Sequence, residues 1–233
     1  MKKIALIGVI LLAWAGVVQA QLMPTQPFTE GQHYIKLAQA TSARKTNGVS
    51  VTEIFSYMCH ACNDFEPYIQ NWKNKQLSDV ELNRIPVGFG RPAWELIANG
   101  YLIAEIMGIA DGAHLSLMNT IWKEGKQMRS MQDLADFYAG QGADKEKYLA
   151  LDKSFMLNMR QKQNNEKLGI YAPRGTPTMI VNGTYKIQTS EAVPNYDVLL
   201  SVVDFLVAKE RAENTSASVE SSSAEVVAET SSK

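Results

Sequence analysis

Cysteine is scarce in this chain: two residues in 233, three positions apart, which excludes a scaffold stapled by many disulfides. Positive charge is not in surplus. Lys and Arg number 23 against 24 Asp and Glu, for a formal net charge of −1, so the basic footprint of a nucleic-acid binder is missing. Histidine is limited to His33, His60 and His114, and no second C-x-x-C exists to complete a closed zinc site. The long apolar run, Ile4 to Val18, falls short of the about 20 residues a membrane span takes. What is present, 45% hydrophobic and 20% charged residues, is ordinary globular composition, with length for one large domain or two small ones and a sizeable core.

Lys2 and Lys3 precede that apolar run, and Val18 and Ala20 are small residues at its end. This is the pattern of a cleavable secretory signal over residues 1–20, cut before Gln21. No cysteine follows the run, so a lipoprotein anchor has no thiol. Cleavage removes two lysines and no acid, leaving a mildly acidic exported protein without stable membrane insertion. Export places the two cysteines where disulfides persist.

Residues 21–48, with Pro24, Pro27 and Gly31, read as an irregular arm. Val49 to Tyr57 reads as a strand, and Phe65, Tyr68, Ile69 and Trp72 at helical spacing put a helix after the cysteines, with Pro67 inside it. Val80 to Phe89 is a second strand, with Pro86 near its end or on an edge. From Pro92 to about Gly169 the periodicity is helical: Ile97, Tyr101 and Ala104 share one face, Leu115, Met118 and Trp122 another, Tyr148, Phe155 and Met159 a third. Ser130 with Asp133 forms a capping-box pattern, and Asp144 is placed to cap the longest helix. Asn182-Gly183 between Thr178–Val181 and Thr184–Ile187 signals a hairpin. A helix from Val193 to about Arg211 follows. Residues 212–233, rich in Ser, Thr, Ala and Glu without an aromatic, read as a disordered tail. The pattern predicts an α/β domain in two parts, residues 21–90 and 169–211, interrupted by a helical insertion over residues 91–168.

Cys59-His60-Ala61-Cys62 lies where the first strand gives way to helix. At a helix N-terminus the unpaired N–H groups and the dipole favour an anion, which lowers a thiol pKa and activates it. His60 can add a positive charge or a donor beside the sulfur. Cys62, nearly one turn on, can attack a mixed disulfide formed on Cys59, so the pair makes an exchangeable dithiol. A structural disulfide closing so short a loop supplies only about 2 kcal/mol. Covalent haem needs a histidine at position 63, which is Asn63. Trp94, Trp122, Met118 and Met131 read as insertion core, and neither His33 nor His114 shows a partner.

C-x-x-C at a strand–helix junction with Pro67 beyond it, and Gly175-Thr176-Pro177-Thr178 before the hairpin, resembles the thioredoxin superfamily. Glu53-Ile-Phe-Ser-Tyr-Met-Cys59, then Cys62-Asn-Asp-Phe-Glu66, the helical insertion and the signal narrow this. Over about residues 30–210 the chain resembles the DsbA-type periplasmic thiol:disulfide oxidoreductases. The resemblance implies a thioredoxin-like α/β fold with a helical domain inserted between the second strand–helix region and the C-terminal hairpin. It implies Cys59 as the exposed nucleophile and Cys62 as the buried resolving cysteine of a redox-active disulfide. Glu53 becomes an acid beneath the site that relays protons to the buried thiol, and Glu66 a second acid in the active-site helix. Thr176 tunes potential and substrate release, and Pro177, in a cis peptide, holds the substrate chain like an added strand. Where the best-known members carry Pro-His between the cysteines, this chain has His60-Ala61.

The expected activity is donation of the Cys59–Cys62 disulfide to reduced exported proteins in the periplasm. The expected reoxidant is a membrane quinone-linked oxidase of the DsbB type. No cofactor or metal is expected, because the cysteines carry the electrons. A monomer is expected, since residues 21–48 are too short and polar for the dimerisation domain of related isomerases. Three alternatives stay open at this point. They are a reductase or isomerase of the same fold, a chaperone-like peptide-binding module with incidental cysteines, and a metal carrier using Cys59, His60 and Cys62.

Overall fold

The computed structural model describes residues 27–39 and 48–230, with side chains described up to residue 215. The expected signal segment and its cleavage point lie outside the described residues. Among the described residues five strands form one sheet in the order β1-β5-β4-β2-β3. β2 (Val49–Phe55) and β3 (Val80–Pro86) are parallel, as they must be when a helix, α1 (His60–Lys75), makes the crossover. β4 (Thr178–Val181) pairs antiparallel with β2 and with β5 (Tyr185–Ile187). Asn182 (φ 50°) and Gly183 (φ 66°) turn this hairpin in the positive-φ region that Asn and Gly tolerate, and the register, Val181 opposite Tyr185, leaves Thr184 in the loop with them.

Three readings from the sequence are corrected. The arm over residues 21–48 is not wholly irregular: β1 (Ile35–Lys36) pairs antiparallel with β5, using backbone groups that an edge strand leaves open. Asp144 does not cap the longest helix; it caps α5 (Lys145–Leu151), with Lys147 N–H donating to Oδ1 at 2.8 Å. The chain breaks after Leu151, and Ser154 caps a new helix, α6 (Phe155–Tyr171). Tyr148 and Phe155 therefore lie on different helices. The first is fully buried and the second exposed. Finally, α7 runs Tyr196–Thr230 rather than ending near Arg211; the segment assigned to a disordered tail contains no Gly or Pro, so nothing in it interrupts helical backbone.

The insertion is α2 (Pro92–Ile106), α3 (Ala110–Trp122), α4 (Met131–Gly140), α5 and α6. The Ser130–Asp133 capping box is formed, each side chain accepting the other residue's backbone N–H. Ile97, Tyr101 and Ala104 are buried as expected; in α3, Met118 is buried but Leu115 faces out. α6 returns to the sheet, where Tyr171 packs with Ile54, Ile85 and Ile180. The opposite sheet face is covered by Phe65, Ile69 and Trp72 of α1 and Leu199, Val203 and Leu206 of α7. Strand periodicity puts Val49, Val51 and Glu53 on the α1 side. An acid is thereby carried under the helix that begins at the cysteines.

Candidate active site

Cys59 occupies the N-cap of α1 in extended backbone (φ −97°, ψ 115°). An N-cap residue stands outside the helix while its side chain faces the first-turn N–H groups. Its thiol is partly exposed and donates to the Thr176 carbonyl at 3.3 Å. That hydrogen bond brings the loop before β4 to the start of α1, and within the loop Thr176-Pro177 is a cis peptide, the isomer the resemblance implied. Both sulfurs are free thiols.

The two thiols differ sharply. Cys59 is lowered from 9.0 to about 5, first by a hydrogen bond from the Cys62 thiol. Burial opposes this, while the Thr176 side chain and the N–H groups of Cys62 and Ala61 add to it. Cys62 is fully buried. Desolvation, the hydrogen bond it gives to Cys59, and the charges of Glu53 and Cys59 all push its thiol far upward. One sulfur is prepared to be an anion; the other is penalised for it.

A sign follows for pH. In the reduced protein the Cys59 pKa lies below that of an unfolded thiol, so its contribution to stability is full above about 9, declines below that, and is lost as pH falls through about 5. The oxidised protein has no such contribution. Thermal melts should therefore show the reduced form gaining on the oxidised form as pH rises from 5 to 9. Ultraviolet thiolate absorbance should titrate with a midpoint near 5. A midpoint near the ordinary thiol value, with parallel melting curves, would contradict the arrangement.

Glu53 is buried, and burial raises its pKa from 4.5 to about 7 despite the Arg84 charge beside it. Its Oε2 accepts from Arg84 Nε at 3.1 Å, and its Oε1 has no hydrogen-bond partner among the described residues. Glu66 is equally buried but better partnered. Oε1 accepts from Gln70 (2.7 Å) and Arg84 (3.4 Å), and Oε2 lies 3.2 Å from His114 Nε2. Desolvation works against its charge, yet His114, Arg84 and Gln70 bring its pKa down to about 2.

His60 is engaged by two neighbours. Its Nδ1 lies 2.9 Å from Asp64 Oδ2, and its ring meets Trp122 edge-on at 5.1 Å. Pro177 is buried and Thr176 partly exposed beside a cleft of about 480 Å³, shared with Tyr34, Arg174 and Gln188. On the other flank, Met58, Leu96, Ile121 and Trp122 line an apolar cavity of about 700 Å³, and Trp122 Nε1–H donates to the Tyr57 carbonyl at 2.8 Å.

Arg84 and His114 were missed as site residues. Arg84 had a signal: a charge at the position of β3 that alternates with Leu82, opposite Glu53 in the parallel register, asks for a buried acid. His114 had none, because its partners Tyr57 and Glu66 lie 57 and 48 residues away. Among the described residues no group of three or more metal-ligating side chains converges, and no helix is long and apolar enough to cross a membrane.

No protein-family model matches the chain. Among curated proteins, the thiol:disulfide interchange protein DsbA of Pseudomonas aeruginosa is 34% identical over 185 residues, covering 79% of this chain and 87% of the relative. The DsbA of Pseudomonas syringae pv. tomato is 34% identical over 207 residues, covering 87% and 96%. Among solved structures, P. aeruginosa DsbA superposes with a TM-score of 0.72 at 32% identity, covering 81% of this chain and 97% of that one. Oxidoreductase DsbA of Xylella fastidiosa gives 0.72 at 29% identity, covering 79% and 98%. A reactive cysteine pair at the head of α1, a thioredoxin-like sheet with a helical insertion, and relatives alike over most of their length lead to one conclusion: the chain belongs to the DsbA family of thiol:disulfide interchange proteins, and it is a protein-disulfide oxidoreductase.

Proposed function

We propose that this protein is an oxidase working in the periplasm, where it donates the Cys59–Cys62 disulfide to newly exported proteins. The observation that carries the reading is the opposite treatment of the two thiols at the head of α1. A substrate thiolate attacks Cys59, forming a mixed disulfide and expelling Cys62, which takes up a proton. A second substrate thiolate then displaces Cys59, a good leaving group because its thiolate is stabilised. Glu53 relays the proton for Cys62. Thr176 and Pro177 dock the substrate backbone beside Cys59, and His60 adjusts the potential from the rim.

Residues 1–20 are the export signal. Residues 21–90 and 169–211 form the thioredoxin-like domain, and residues 91–168 the insertion. The protein acts as a monomer and is reoxidised by a DsbB-type quinone-linked membrane oxidase.

Equilibration of the Cys59–Cys62 pair against graded glutathione buffers, followed by thiol trapping, tests the direction of electron flow. The expected result is a pair more oxidising than glutathione, because a stabilised thiolate favours the reduced state. A potential near that of thioredoxin would overturn the oxidase reading and make the protein a reductant or isomerase.

A further inference from the structure

Beneath the cysteines lies a buried cluster with one permanent cation and two acids. Arg84 contacts Glu53 Oε2 through Nε (3.1 Å) and Glu66 Oε1 through Nη2 (3.4 Å). Its Nη1 reaches Asp111 Oδ1 at 3.7 Å, but that carboxylate is largely in solvent. Two buried carboxylates sharing one guanidinium leave a charge uncompensated, so one acid holds a proton.

Hydrogen-bond donors decide which. Glu66 faces three, Gln70, Arg84 and His114, whereas Glu53 faces Arg84 alone and keeps a bare oxygen. The His114 donor is itself set by geometry. Gln70 and Arg84 already donate to Oε1 of Glu66, which favours its ionised, accepting form; the ring hydrogen then belongs on Nε2, 3.2 Å from Oε2, and Nδ1 is left to accept from the Tyr57 hydroxyl 2.9 Å away, a phenol that burial keeps protonated. Burial also favours the neutral imidazole. The remaining titratable groups around the cluster are Tyr101 of α2, whose ring lies near His114, Tyr138 of α4 near Tyr57, and the two cysteines of α1.

We propose that His114, on the helical insertion, is a positioning residue for disulfide exchange: by donating to Glu66 it keeps that acid ionised and confines the mobile proton of the cluster to Glu53, the acid that serves Cys62. The inference rests on the exchange mechanism proposed above. In disulfide donation the substrate sulfur bonds to Cys59, the Cys59–Cys62 bond breaks, and the electron pair leaves on Cys62. Glu53 gives its proton to that sulfur and becomes the carboxylate paired with Arg84. The second substrate thiolate then closes the substrate disulfide and releases Cys59 as thiolate. Reoxidation returns the proton to Glu53. Were the proton held on Glu66, it would sit on an acid whose two oxygens are already engaged by other donors.

The test is a pH titration of the Glu53 and Glu66 carboxyl carbons by NMR in the reduced mature protein, paired with the pH profile of the exchange rate. In His114→Leu the two midpoints should converge. Glu53 should fall by about one pH unit, a tenfold change in proton affinity, and the neutral-pH limb of the rate profile should move with it. His114→Gln, which restores an N–H donor, should move both back. If His114→Leu does not fold, Tyr57→Phe, which releases the ring hydrogen from Nε2, should shift Glu53 in the same direction. Unchanged midpoints, with Glu53→Gln still abolishing the neutral limb, would overturn the role of His114 and leave Glu53 as the proton carrier. A neutral limb that survives Glu53→Gln would overturn the Glu53 reading, and this inference with it.

Discussion

Cys59→Ser is expected to stop disulfide exchange, with the rate falling by on the order of a thousandfold or more, because the other thiol at the head of α1, Cys62, is fully buried and out of a substrate's reach. Changes at Cys62 should behave differently. Cys62→Ala leaves the nucleophile but removes the resolving thiol, so substrate should accumulate covalently bound to Cys59 and be visible on non-reducing gels. It also removes the largest contribution to the low Cys59 pKa, the hydrogen bond from the Cys62 thiol. The Cys59 midpoint should therefore rise from about 5 towards the ordinary thiol value. Cys62→Ser keeps a hydroxyl donor and should fall between, as alkylation rates measured against pH would show. A chaperone-like module makes the opposite forecast: binding of unfolded clients survives Cys59→Ser, and no covalent adduct forms on Cys62→Ala. Equal Cys59 midpoints in both Cys62 variants would mean that the helix N–H groups, not the neighbouring thiol, dominate.

Arg84→Met should be the most damaging change away from the cysteines. It leaves Glu53 and Glu66 buried without their shared cation, and breaking a buried pair in this way costs about 3–5 kcal/mol at neutral pH. For a chain of this size the melting temperature should drop by roughly 10 °C. The pH dependence separates charge from packing. In the variant both carboxyl pKa values rise above their unfolded values, so stability is greatest in mild acid and is lost as pH climbs through the raised values. Wild-type Glu66 runs the other way: its contribution is present above 4.5 and disappears as pH falls towards 2. The two stability curves should therefore lie closest near pH 2 and draw apart as pH rises towards neutrality. Arg84→Lys restores the charge without the planar fork and should recover most of the stability. A loss independent of pH would mean that the aliphatic stem of Arg84, rather than its charge, is what the fold needs.

Local sequence was enough for whatever depends on local physics. The strand–helix junction at Cys59 is legible because β-favouring residues give way to helical spacing within a few positions, and the thiol at that junction acquires its chemistry from the first turn of α1. Asn182-Gly183 announced its turn because few other pairs accept two positive φ values, and the Ser130–Asp133 cap closes within four residues. Boundaries were less legible. The break between α5 and α6 does not interrupt the helical periodicity of Tyr148, Phe155 and Met159, so only the Ser154 cap marks it. Two residues of β1 have meaning only against β5.

The class of chemistry and the place of Cys59 at a helix head could be read from the sequence, because a thiol and an N-terminal turn adjoin in the chain. Tertiary structure alone decided which groups face that chemistry. Thr176 reaches Cys59 across 117 residues, Arg84 reaches Glu53 across 31, and His114 comes from the insertion to hold Glu66. The physical reason is that thiol activation uses short-range dipoles and donors supplied by one turn of chain. The placing of a buried proton depends instead on the balance of every charge and donor that packing gathers around it, and linear order does not encode that balance.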